Sequence, residues 1–426
     1  MIKKTCQKSI ILIILIATIA FSPRFPIGEI AGNRLIDIRA EDILLLILGL
    51  SWLINFLVHG QTQIKKPPLW TPIIAWLGIG FFSVLLNLTL NNITLSRGFF
   101  YFLKEIEFFF IYFYLFYHLK RLSSVKLAIK IWFVVGLMNI LLIFYQFARG
   151  FRYGEYGPGL YKEIGPFPSG GFFLILFANL FNIFLYYHRQ LKISRFKKIV
   201  LLILIFSLTI GIVASGSRAA VMGFVLVIIS SFFLYQIKTK NIKALLASLF
   251  ILCSFGATTY LISFRVHYLQ NLQPHRLLRS FNSRDVIWQA QLQKIPDNPI
   301  YYLFGLGKSA YLYTEESHNQ YLRNFIETGI IGSLIFLILI WAILKTSWRN
   351  FFKQTDELLI GLSAGLLTST LAMLLAAIPN DAFIVVKVNE VYWFFAGLTF
   401  SAYYLNRPKN ISKLTVSQID KSSFER

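Results

Sequence analysis

Cysteine, acidic residues and polar stretches are what this chain has least of. Its two cysteines are Cys6, near the N-terminus, and Cys253, in the middle of an apolar run. They are not placed to pair, so neither a disulfide framework nor a cysteine-based metal site is expected. Asp and Glu total 19 against 42 Lys and Arg. No D-x-D or similar carboxylate pair stands out in the largest polar segment, and no His/Cys cluster has metal-ligand spacing. No metal site is obvious, and no cofactor is expected. There is no Walker loop, which argues against direct use of ATP. There is no G-x-S-x-G elbow of the serine-hydrolase kind. Heptad arrays, short-period repeats and low-complexity tracts are missing too.

What fills the chain is hydrocarbon. It is 56% hydrophobic with a mean hydropathy of +0.62, which excludes an ordinary soluble globule. The apolar residues fall in runs of roughly 17–25, the length that crosses a ~30 Å hydrocarbon layer. Twelve such runs are read at about 9–22, 42–59, 69–90, 98–117, 128–148, 171–187, 199–215, 218–235, 244–262, 324–344, 358–378 and 390–405. The first is short and follows Lys3, Lys4 and Lys8, as a signal peptide would. No A-x-A site follows it, so it is taken as an uncleaved first helix. The predicted fold class is all-α: a polytopic membrane protein of about 12 transmembrane helices with a large non-cytoplasmic loop.

The formal charge of +23 is a topology signal. With the N-terminus in the cytoplasm and the runs alternating, 25 of the 42 basic residues fall in cytoplasmic segments, opposed there only by Asp356, Glu357, Asp420 and Glu425. That is the positive-inside pattern at every cytoplasmic segment. Nucleic acid is not an expected partner; membrane lipids are. One integral membrane domain is expected over 1–405, and a flexible cytoplasmic tail over 406–426.

Two non-cytoplasmic connections are long. Arg149–Gly170 is rich in Gly, Pro and Tyr. Ser263–Ser317 is the longest polar stretch, with helices expected around 265–279 and 283–295 and a stop at the Pro296–Pro299 turn. Its aromatic residues, among them Tyr268, Trp288 and Tyr301, argue against disorder.

The most informative segment is Glu315–Gly332. It sets His318 and Arg323 just before pure hydrocarbon, Ile330–Leu344. Ser317-His318-Asn319-Gln320 reads as a capping box that puts His318 at the first helical position. The positive helix end disfavours imidazolium there, and a neutral imidazole suits a general base. The alternative is an interfacial histidine bonded to a carbonyl. Ser215-Gly216-Ser217-Arg218 is a short turn on the same outer side. Arg218 has the planar, bidentate charge of an anion clamp, or else it snorkels to the interface. Arg284, in Asn282-Ser283-Arg284-Asp285, precedes Trp288 by one turn; guanidinium plus indole suits a phosphate–sugar ligand, or the pair belongs to a local surface arrangement with an interfacial tryptophan. Arg265, Arg276, Arg279 and Lys308 share this loop and make the outer face suitable for anions. Gly305-Leu306-Gly307 reads as a flexible turn. Lys104, Glu105 and Glu107 are intramembrane charges, of which Lys104 and Glu107 are spaced to form a structural ion pair. Gly361-x-x-x-Gly365 suits close helix packing.

These residues resemble the O-antigen ligase and O-antigen polymerase family of bacterial envelope glycosyltransferases. The resemblance rests on S-G-S-R at 215–218, N-S-R-D-V-I-W at 282–288, G-L-G at 305–307, and H-N-Q-Y-L with E-T-G-I-I-G at 318–332. It covers a family-like core of about 199–345, with the periplasmic loop 263–317 inside it. Gly165-Pro166-Phe167 is similar to a substrate-side loop of the family. The resemblance implies a GT-C-like fold and metal-independent, periplasmic-face glycosyl transfer from an undecaprenyl-diphosphate-linked glycan in the inner membrane; the alternation of runs puts both termini in the cytoplasm. By carry-over, Arg218 and Arg284 would hold the diphosphate and His318 would deprotonate the acceptor hydroxyl. Trp288, Asn319, Tyr321 and Arg323 would be substrate contacts. The acceptor would be lipid A–core for a ligase, the preferred reading, or another repeat unit for a polymerase. A small-anion transporter, for example of bicarbonate, is the alternative from another class. It predicts discontinuous helices and a midplane site.

Overall fold

The computed structural model describes residues 2–22, 24–30, 34–59, 66–149, 158–160, 165–188, 190–240, 246, 251–257, 274–310 and 318–406. Helices dominate because a backbone in hydrocarbon must satisfy its own hydrogen bonds. They are α1 (Ile2–Phe21), α2 (Ala40–His59), α3 (Trp70–Thr89), α4 (Leu95–His118), α5 (Leu122–Ala148), α6 (Pro166–Tyr187), α7 (Arg195–Ala214), α8 (Arg218–Thr239), α9 (Pro274–Gln293), α10 (Pro299–Phe304), α11 (Gln320–Lys353), α12 (Glu357–Ala376) and α13 (Val386–Leu405). A short antiparallel hairpin, β1 (Arg24–Ile30) and β2 (Arg34–Arg39), lies between α1 and α2. The sequence reading had no hairpin there.

Every apolar run has its helix except 244–262, most of which lies outside the described residues; 251–257 of it are helical. Among the described residues, α3, α5, α6, α7, α8, α11 and α12 are long and apolar enough to cross a membrane. The helix α4 falls short of that standard because Arg97, Lys104, Glu105 and Glu107 all sit in its 24 residues. Those charges are the first sign of where the polar interior lies.

The core is built around α6, α12 and α13, each almost wholly buried. The helix α12 packs on α6, α8 and α11, and α13 on α4 and α6. The Gly361/Gly365 pair serves the predicted close approach: Cβ atoms there would meet Ile183 Cα at 2.8 Å and Asn179 Cα at 2.9 Å. By contrast α7 turns much of its surface outward, as a lipid-facing helix does. The tail beyond 406, most of the Arg149–Gly170 loop and the residues 258–273 and 311–317 lie outside the described residues.

The large loop departs from expectation. One helix, α9, runs through the gap between the two expected, and ends as predicted before Pro296. After it, α10 and the Gly305–Gly307 turn form a wedge driven between α3 and α11. Gly305-Leu306-Gly307 is a fixed structure, not a flexible turn. The Leu306 N–H donates to Ile326 O at 2.7 Å and the Gly307 N–H to Glu327 O at 3.1 Å. The Ser83 hydroxyl sits between the carbonyls of Phe304 and Glu327, 2.8 and 2.7 Å away. Asn87 Nδ2 donates to Gly305 O at 3.1 Å.

The wedge enters where α11 is broken. Gly329 has φ 66° and ψ −166°, a region almost confined to glycine. A Cβ on it would lie 2.3 Å from the Leu303 carbonyl carbon, and one on Gly305 would lie 2.4 Å from the Glu327 carbonyl carbon. So the two glycines let two backbones touch. Gly329→Ala is expected to destabilise the protein by about 1–3 kcal/mol through backbone strain and overlap. Thermal unfolding in detergent checks this; an unchanged midpoint contradicts it.

Candidate active site

The half-helix of α11 before the break starts two residues later than the capping-box reading placed it. Asn319, not Ser317, is the N-cap: its side chain accepts from the N–H groups of Tyr321 and Leu322 at 3.0 and 3.1 Å. Asn competes as well as Ser for that position, and here its geometry wins. His318 therefore precedes the helix. It is half-buried, with a left-handed φ of 47°. Ser317 lies outside the described residues.

The turn at His318 is clamped to the connection between α12 and α13. The Asn319 N–H donates to Asp381 Oδ1 at 3.1 Å. The Gln320 N–H donates to Ala377 O at 2.9 Å, and Gln320 Oε1 accepts from the Phe383 N–H at 2.9 Å. The Tyr321 hydroxyl donates to Leu374 O at 3.0 Å, which braces α11 on α12. Asn319 and Tyr321, expected as substrate contacts, thus use their side chains to position the turn.

Arg323 is 2% exposed and holds two carboxylates. Its Nε and Nη2 both lie 2.9 Å from Glu327 Oε1, and its Nη1 is 3.4 Å from Asp381 Oδ2. From Glu327 the charges continue to Lys308, 3.5 Å away, and from Lys308 Nζ to Glu105 Oε1 at 2.6 Å. The indole of Trp76 caps the ammonium at 4.6 Å. Lys308, grouped with the outer-face cations in the sequence, is instead 2% exposed, carried inward by the wedge. Ions in such a place are held only by complete pairing, because desolvation is large.

A second cluster adjoins the first. Lys104 bridges Asp42 at 2.5 Å and Glu107 at 3.1 Å, the latter being the spacing-predicted pair. Lys387 lies 2.5 Å from Glu41 Oε1 and donates to Ile19 O at 2.8 Å. Glu41, Asp42 and Glu390 offer carboxylate oxygens within 4.8 Å of one another, a grouping able in principle to hold a metal ion. The ammoniums of Lys387 and Lys104 already compensate Glu41 and Asp42, so the cluster stands as an ion-pair assembly that ties α1, α2, α4 and α13 together.

Arg218 opens α8. Ser217 caps that helix, accepting from the Ala220 N–H at 3.3 Å, and the Ser215 hydroxyl accepts from the Ser217 N–H at 3.1 Å. The small residues fold the S-G-S-R turn and aim the arginine at its end. Arg284 and Trp288 are both half-buried on α9, one turn apart. Burial lowers the pKa of Arg284, and Arg218 lowers it further, while Asp381 raises it. Arg284 is thus within electrostatic reach of both Arg218 and Asp381. Two permanent cations near each other are the kind of charge that suits an anion. The same carboxylate seats the His318 turn.

Residues 199–337 match the family model described as O-antigen ligase. That stretch is similar to the O-antigen ligase family. No curated protein matches the chain significantly. The match runs from α7 to the first half of α11, so it includes Arg218, Arg284, Lys308, His318, Arg323 and Glu327. It implies a glycosyltransferase-like membrane enzyme of polysaccharide biosynthesis.

Sequence reasoning missed Asp381 and the pairing of Lys308 with Glu105 and Glu327. Glu327 was visible as the acid of E-T-G, four residues after its partner Arg323, but Asp381 is 58 residues from Arg323 and Lys308 is 203 from Glu105. Lys308→Met should leave Glu105 buried without its cation and destabilise the protein by about 3–5 kcal/mol. Adding Glu105→Leu should recover much of that loss. Denaturation in detergent of both variants checks it, and additive losses would contradict it.

Proposed function

We propose that this chain is an O-antigen ligase-like glycosyltransferase that moves a glycan from an undecaprenyl-diphosphate donor to an acceptor hydroxyl at the periplasmic face of the bacterial inner membrane. What supports the reading is Asp381: its charge and that of Arg218 both act on Arg284, and the Asn319 N–H of the turn that bears His318 donates to it.

The chemistry follows from the charges. The donor diphosphate lies against Arg218 and Arg284. His318 takes the proton of the acceptor hydroxyl as that oxygen attacks the anomeric carbon. The bond from that carbon to the diphosphate oxygen breaks, and undecaprenyl diphosphate leaves with the electron pair. Its growing charge is met by the two guanidiniums, which preorganise the site for the transition state. A diphosphate stabilised in this way leaves without a general acid. Lipid A–core is the acceptor in the ligase reading; a lipid-linked repeat unit in the polymerase reading uses the same residues.

The break in α11 is the one observation that speaks for a transporter, which uses discontinuous helices to bind ions. Here the freed backbone groups of the break are taken by Leu306, Gly307 and Ser83. They hold the wedge and do not open onto a midplane site.

His318→Ala is expected to lower transfer by 10²–10⁴-fold, about the worth of a general base, while expression and insertion persist. Wild-type envelope glycan profiles in that variant would refute the assignment. Arg218→Lys should also be poor, because a bidentate fork becomes a point charge. Full activity there would reduce Arg218 to an interfacial residue.

A further inference from the structure

We propose that a cavity walled by charged and aromatic side chains, Arg323 among them, binds one pyranose unit of the acceptor glycan. The inference rests on the transferase reading above and adds the place of the second substrate. The cavity has a volume of about 140 Å³. A cavity of about 150 Å³ accommodates benzene, so this one takes a single six-membered ring. Its lining is mixed: Asp37, Lys104, Glu105 and Arg323 reach it beside Phe108 and Ile384. Burying a polar group against hydrocarbon is unfavourable, so the charged part of the wall disfavours an acyl chain. A sugar ring fits a mixed wall, with hydroxyls on its edge able to donate to a carboxylate or accept from a cation.

Two further features fit a sugar. Phe100 and Tyr101 supply flat apolar faces beside the charges, as the C–H face of a pyranose requires. Glu105 Oε2 is buried and has no hydrogen-bond partner, while its Oε1 is held by Lys308. A hydroxyl entering the cavity would satisfy that oxygen. Burying an acceptor without a partner is otherwise unfavourable.

Position decides which substrate it is. Arg323 is both a wall of the cavity and a partner of Asp381. The Asn319 N–H of the His318 turn donates to Asp381 as well. Asp381 therefore links a wall of the cavity to the turn that bears the proposed base. A transfer reaction needs its acceptor held near its base in this way.

The test uses full-length protein in nanodiscs carrying His318→Ala, so that binding is read without turnover. The probes are core oligosaccharide freed of lipid A and repeat-unit oligosaccharide freed of its lipid diphosphate, titrated calorimetrically. At least one should bind, and Tyr101→Ala and Asp37→Asn should each weaken it by about tenfold, as expected for losing one good contact to a charged or aromatic wall. In the protein with His318 restored, both substitutions should raise the acceptor KM and leave the donor KM unchanged. Binding of neither probe, binding unaffected by both substitutions, or a raised donor KM overturns the proposal. Binding at the cavity by a protein that transfers nothing would sink the transferase reading and leave the cavity assignment standing.

Discussion

Arg323 bonded to Glu327 and Asp381 is the contact on which the rest of this structure depends. It joins the first half of α11 to the connection before α13, and through Glu327 it reaches Lys308 on the wedge. Coulomb attraction is strong where water is scarce, and so is the desolvation that opposes it. Such a chain of ions gains little stability over an apolar core. What it fixes is geometry: each ion has few positions that satisfy it, so the elements carrying those ions have few relative placements. The His318 turn, seated on Asp381, takes its position from that set.

The glycines make the ion chain reachable. Without the break at Gly329 and the close approach of Gly305, Lys308 would remain in the loop and Glu105 would lie in hydrocarbon without its cation. The wedge therefore converts a long polar loop into part of the membrane core. It also uses up the backbone groups that the break frees, which separates this broken helix from one that coordinates an ion.

Much of the fold was legible because hydrophobic run length is a direct physical constraint. The runs at 69–90, 128–148 and 358–378 became α3, α5 and α12 with ends shifted by a few residues. Local spacing also read well: Lys104 with Glu107 and Gly361 with Gly365 are contacts between helix neighbours or small residues on one face. The capping residue was misjudged because Ser317 and Asn319 are both competent caps, and only tertiary seating on Asp381 chooses between them. The hairpin was not seen, since Arg24–Arg39 has no clear alternation. Least legible was the ion chain. Lys308 and Glu105 are 203 residues apart, and no periodicity links them. The cations flagged in the sequence divide accordingly: Arg218 and Arg284 stand at the candidate anion site, whereas Arg323 and Lys308 are paired with carboxylates in the ion chain.

The central claim is that Arg218 and Arg284 form one diphosphate site beside the His318 turn. The most direct measurement is a cryo-EM structure of the full-length protein in nanodiscs with undecaprenyl diphosphate bound. The account predicts diphosphate density between the two guanidinium groups, next to the turn that Asp381 holds. Density at any other place, with Arg218 and Arg284 engaged only by protein, would contradict it.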